Sequence, residues 1–194
     1  MTRPSVGAAE FLVRALDPTQ KHVAGVRADQ WSGSRPCTAW DVRDVTGHLV
    51  NESLWASELL RGRTMADVGD RLDGDLLGDD PARAFTSSIA IAKEPALAPS
   101  AMEAVCHLSF GDYPGSEYAE RLLLDILVHG WDLAKATGQA ARRAQDLVAV
   151  CYPVAQNVVA FAWVLGVFGE DLPVASETDP QTRLLTLLGR GASV

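Results

Sequence analysis

Cysteine is scarce in this chain and so is histidine, with three of the first and four of the second among 194 residues. Cys37, Cys106 and Cys151 are widely spaced and form no C-x-x-C pair. So sparse and odd a set argues against a disulfide framework and excludes a Cys-rich zinc site. It fits free thiols in a reducing, cytoplasmic compartment. Basic clusters are missing too. Acidic residues number 25 against 17 basic ones, for a formal net charge of −8. That balance repels phosphate backbones and anionic headgroups, so no nucleic-acid partner is expected. The N-terminal MTRPSVGAAEF has no apolar secretion signal. Gly-rich phosphate loops, H-E-x-x-H and G-x-S-x-G are absent. Leu147 to Phe168 is long enough to span a bilayer, but Pro153 and the polar pair Gln156 and Asn157 make it a poor span. No membrane partner is expected.

What is present is apolar and helical. A hydrophobic content of 47% is ample for one buried core, and the length suits one domain over residues 1–194. Helical periodicity dominates, with no run of alternating strands. The first helix is expected over Ser5 to Leu16. Asp17-Pro18 then reads as a cap and a proline opening a further turn to about Arg27, and Trp31 to Pro36 reads as a loop. Thr38-Ala-Trp-Asp41 has the form of a capping box, starting a helix that runs to about Leu60. Arg61 to Asp80 reads as an exposed connection. Asp80-Pro81 opens a third helix, closed by Pro95 and Pro99. Met102 to Phe110 reads as one short extended segment, and Gly111 to Gly115 as a loop. Ser116 caps a fourth helix running to Thr137, a fifth covers about Ala144 to Val164 with a kink at Pro153, and a last short one covers Pro180 to Leu188. The expected fold is an all-α bundle of four or five principal helices.

Chemistry concentrates on two of these helices. Asp125 and His129 are four residues apart, so both project from one face, one turn apart. A third ligand must come from elsewhere, and His48, in the middle of its helix, is the best donor. Two imidazoles and a carboxylate leave coordination positions open for water or substrate. The plainer alternative is a buried His–Asp hydrogen bond that satisfies both groups without an ion. Glu52, four residues after His48, is a rival ligand or a partner to the ligands. Asp132 is placed to orient the His129 ring, or else to sit at the helix end in solvent. His22 reads as a solvated surface residue. Cys106 and His107 are neighbours in an extended stretch and point oppositely, which rules them out as a nucleophilic pair. Trp40, Trp55, Trp131 and Trp163 read as core residues.

Two segments carry a family likeness. PCTAWDVRDVTGHLV, residues 36–50, resembles the start of the first metal-bearing helix of the DinB-like, mycothiol-dependent maleylpyruvate isomerase superfamily. DILVHGWDLAKATG, residues 125–138, resembles its second, and is similar to the HxWDLAxATG signature of an actinobacterial branch. The segment from Leu184 to Arg190 is similar to the end of that branch. The resemblance implies a DinB/YfiT-like four-helix bundle with additional short helices, whose metal is held by His48, Asp125 and His129. Isomerase members usually carry glutamate where this chain has Asp125, and they carry an extra C-terminal domain for which this chain ends too early. The resemblance further implies a divalent ion, zinc first and nickel or iron next, with mycothiol as thiol cosubstrate. The activity it implies is S-transfer or isomerisation of a small electrophile, and a homodimer is compatible with it. Metal-dependent hydrolysis with Glu52 as base, or a non-catalytic bundle stabilised by its metal, are the alternatives.

Overall fold

The computed structural model describes residues 6–32, 40–164 and 179–190. Cys37, Thr38 and the Trp163 side chain therefore lie outside the described residues. The chain forms two compact units, residues 1–140 and 141–194.

In the first unit four helices make a bundle: α1 (Val6–Ala24), α2 (Val42–Leu59), α4 (Pro81–Ala96) and α5 (Gly115–Ala136). Packing is most extensive between α2 and α4 and between α1 and α5, while α1 against α4 and α2 against α5 close the ring. Leu49, Phe85, Leu123 and Leu127 are fully buried at its centre, each contributing roughly 1.5–3 kcal/mol by leaving water. A 3-10 turn (Ala28–Gln30), a short α3 (Met65–Val68) and a hairpin of β1 (Val105–Leu108) and β2 (Gly111–Pro114) complete the unit. This is the all-α four-helix bundle with short extra helices that the sequence implies.

Several boundaries differ from expectation, each for a physical reason. No break occurs at Asp17-Pro18, and α1 runs through the proline. Pro18 has no N–H to offer the Arg14 carbonyl, yet the buried stripe Ala15, Leu16, Thr19 and Val23 continues across it. Packing of that stripe outweighs the missing bond. His22 consequently falls on the inward side and is only 9% exposed, not solvated. At α2 the capping frame sits three residues later than read. Asp44 N–H donates to Asp41 Oδ1 at 2.8 Å, and Asp41 N–H donates to Asp44 Oδ2 at 3.0 Å. Thr64 and Asp67 make the same reciprocal box around α3, inside what was expected to be a bare connection.

The hairpin replaces the expected extended segment and loop. Leu108 pairs with Gly111 across a two-residue turn, and Val105 pairs with Pro114. Gly111, at φ 139°, adopts a backbone that other residues rarely reach. Ser116 is not the cap of α5, which begins at Gly115 with no side-chain cap. Two loop carbonyls serve instead: Gly115 N–H donates to Ala104 O at 2.8 Å and Ser116 N–H to Met102 O at 2.9 Å. Such close docking requires glycine, because a Cβ at position 115 would lie 1.9 Å from the Ala101 oxygen.

In the second unit, α6 (Gln145–Val164) packs against α7 (Pro180–Leu187). Asp179 caps α7 by accepting from Thr182 N–H at 3.1 Å, with Pro180 in the first turn. Gln181 ties the unit's start down, accepting from Arg143 N–H at 2.7 Å and donating to Ala141 O at 3.2 Å. Pro153 stands inside α6. Among the described residues no helix is long and apolar enough to cross a membrane.

Replacing Gly115 with alanine should cost about 3 kcal/mol, since the methyl meets rigid backbone rather than a yielding side chain. Urea denaturation of Gly115→Ala measures this, and a midpoint matching the wild type would contradict the close approach.

Candidate metal centre

The α2 helix is anchored inward by Val45 and Leu49, both fully buried, which aims His48 at the seam with α5. On α5 the one-turn spacing of Asp125 and His129 brings both to the same seam. One donor atom from each of the three residues lies within 4.8 Å of the other two. His48 Nε2 is 3.1 Å from Asp125 Oδ1 and 3.0 Å from Oδ2. His129 Nε2 is 3.5 Å from Asp125 Oδ1. Ligands held about 2.1 Å from one ion lie about 3.0–3.5 Å apart at neighbouring positions, and the separations of both imidazole nitrogens from Asp125 Oδ1 match that range.

The charge pattern supports the fit. Asp132, fully buried, places Oδ2 3.1 Å from His129 Nδ1. With the ring proton on Nδ1 donated to Asp132, Nε2 presents a lone pair toward Asp125. A lone pair facing a carboxylate oxygen is repulsive unless a cation stands between them, and a proton or a metal ion would serve. Of the two roles the sequence left open for Asp132, the contact with the far nitrogen of the His129 ring is the one observed.

Glu52 is not one of the converging donors. Burial raises its pKa first, the Asp125 charge raises it further, and His48 and His129 oppose. Burial alone would lower the His48 pKa, but the hydrogen bond and charge of Asp125, then the charge of Glu52, outweigh it and raise it. Tyr118, buried on the same stripe of α5, has its pKa pushed up by burial and by the charges of Glu52, Cys106 and Asp125.

Two neighbours escaped the sequence reading. Trp40, read as a core residue, is 36% exposed and lies over the site. Its ring centroid is 5.1 Å from that of His48 and 5.7 Å from that of His129. The two imidazoles themselves meet edge to face at 4.9 Å. Tyr118 precedes Asp125 by seven residues, two helical turns, and that periodicity was its available signal. Nothing local marked Trp40, which precedes the helix that its ring covers. The other histidine–carboxylate pair, His107 Nδ1 to Asp112 Oδ1 at 2.8 Å, bridges the exposed hairpin.

A family model described as the mycothiol maleylpyruvate isomerase N-terminal domain matches residues 12–134. The chain belongs to that family. The matched span holds the whole bundle site, His48, Asp125, His129 and Asp132 included. Uncharacterized proteins from two strains of Mycobacterium tuberculosis are 32% identical over 183 residues, covering 91% of this chain and 94% of theirs. The crystal structure of the mycothiol-dependent maleylpyruvate isomerase superposes with a TM-score of 0.72 at 14% identity, covering 100% of this chain and 94% of that one. Its histidine-to-alanine mutant gives 0.73 at 13%, covering 99% and 93%. The family's DinB-like helical fold is therefore the fold of this chain. The expectation that this chain stops short of the isomerase's C-terminal region is corrected by the same match, which spans 94% of that chain.

Cys106 is fully buried, its Sγ–H donates to Leu59 O at 3.4 Å, and burial pushes its pKa up to about 11. Iodoacetamide at pH 8 should leave it unmodified in the folded protein and label it only after denaturation. Mass spectrometry reads the outcome, and rapid labelling of the native protein would contradict the burial.

Proposed function

We propose that the protein binds one divalent metal ion through His48, Asp125 and His129 and acts as a thiol-dependent isomerase or S-transferase on a small electrophile. The convergence of three donors from two helices, with Asp132 braced behind one of them, carries this reading. Zinc is the first choice of ion, with nickel or iron also suited to two imidazoles and a carboxylate. Family membership supports mycothiol as the cosubstrate.

An ion in such a site supplies Lewis acidity that keeps a small thiol in its nucleophilic thiolate form near neutral pH. The remaining work belongs to the chain. His48, Asp125 and His129 bind, and Asp132 retains the Nδ1 proton of His129 so that Nε2 stays a donor to the ion. Trp40 screens both imidazoles from water. Glu52, whose pKa is raised by burial and by the Asp125 charge, stands one turn from His48 and would give or take a proton as thiol and electrophile combine. Among the described residues no cysteine is offered as the nucleophile. Cys106 and Cys151, the cysteines among the described residues, are both buried, and the first is held as the neutral thiol.

Elemental analysis of purified protein should find about one equivalent of a transition metal, the complement of a single three-ligand site. His48→Ala and His129→Ala should lose it, and Asp132→Asn should bind about 10–100-fold more weakly. With cobalt in the site, adding mycothiol should shift the visible spectrum, and an unchanged spectrum at saturating thiol would remove the thiol from the reading. Loss of all turnover in Glu52→Gln without any thiol effect would favour hydrolysis instead.

Metal affinity should also depend on pH in a set direction. The His48 pKa lies above its ordinary 6.5, so below that raised value a proton must be displaced before His48 can bind. Affinity should therefore weaken as pH falls through the raised His48 pKa and level off above it. Calorimetric titrations with zinc at several pH values check the sign.

A further inference from the structure

The two histidines of the site are held by different means. His129 is held by a hydrogen bond at Nδ1, to the buried Asp132 at 3.1 Å, while its Nε2 faces Asp125 at 3.5 Å. Both described hydrogen bonds of His48 are at Nε2, to the two oxygens of Asp125. A contact at one corner fixes the position of that corner but not the plane of the ring. The plane matters, because the lone pair of an imidazole nitrogen lies within it, and a rocking ring aims that pair away from a shared ion.

From this asymmetry we infer that Trp40 is the positioning residue that sets the plane of His48, doing by ring contact what Asp132 does for His129 by hydrogen bond. The inference rests on the metal reading above. The indole lies 5.1 Å from the His48 ring, tilted by 41°, and 5.7 Å from that of His129, tilted by 34°. Both separations fall in the range at which aromatic rings pack with a preferred orientation. His129 closes the arrangement edge to face against His48, at an interplanar angle of 72°. The His48 ring thus stands at one corner of a three-ring cluster, packed against both an indole and a second imidazole. Trp40 leads directly into a fixed stretch of backbone. It is the residue before Asp41, whose backbone and side chain are both locked in the reciprocal cap with Asp44. A change in the backbone at the start of α2 would therefore reach the donors through one side chain.

Trp40 is about a third exposed, so its removal opens the site to water without emptying the bundle core, and variants at this position should fold. Trp40→Phe keeps a ring and Trp40→Ala does not. Cobalt affinity of the full chain should fall about 10–100-fold in Trp40→Ala, the size typical of losing a group that orients a ligand, and stay within about threefold in Trp40→Phe. In chelator-treated protein, NMR of the ring protons should show His48 broadened in Trp40→Ala, while His129, which also loses the indole's ring current, shifts without broadening. Equal affinity in wild type and Trp40→Ala, equal loss in both variants, or equal broadening of the two histidines would each overturn the assignment. Wild-type protein that takes up no cobalt overturns the metal reading itself. That failure is separable, because the His48 resonances report on ring restraint whether or not an ion binds.

Discussion

Everything about the site follows from one electrostatic constraint, the convergence of electron pairs on a single point. Asp125 turns its carboxylate toward two imidazole nitrogens at 3.0–3.5 Å, and Asp132 uses up the other side of one ring. Such an assembly holds together when a positive charge stands in the middle. In its absence, protons must take that place, which is why the His48 pKa rises. The Glu52 carboxyl has its pKa raised first by burial and then by the charge of Asp125. The ionisation of His48 and of Glu52 thus responds to the charge gathered at one point.

The bundle meets this constraint with little special machinery. Apolar residues on either side of His48 bury one face of α2, and the one-turn repeat on α5 supplies a carboxylate, an imidazole and a bracing carboxylate at positions 125, 129 and 132. Unusual backbone is confined to the approaches. Gly115 lets the start of α5 dock on loop carbonyls, and Gly111 turns the hairpin that leads into it. These features fix where α5 begins, and hence the height at which Asp125 meets His48.

The convergence of Asp125 and His129 was legible because residues four apart on a helix share a face, although that spacing is common by chance and it was the family resemblance that singled the pair out. The third donor was legible as a histidine in the middle of a second amphipathic helix. Trp40 was not, because its partners lie eight residues onward and on another helix, and no local rule connects them. The cap of α2 was misplaced since two frames overlap, Thr38 with Asp41 and Asp41 with Asp44, and each has the spacing of a reciprocal box. Pro18 misled more simply. Proline usually ends a helix, but a continuous buried stripe on both sides overrides that preference. His22 was misread as a consequence. The hairpin strands, four residues each with two-sided polarity, carry too little alternation to stand out from loop.

The ring of helices is not evenly joined. The α2–α4 and α1–α5 pairings are broad, whereas α2 meets α5 along a narrower strip, and that strip is where His48 faces Asp125 and His129. An ion shared by those residues would be a rivet across the narrowest join of the four, tying one half to the other. Drawing it out would slacken the bundle along that line first, and a molecule coordinating to it from outside would take hold of both halves at once.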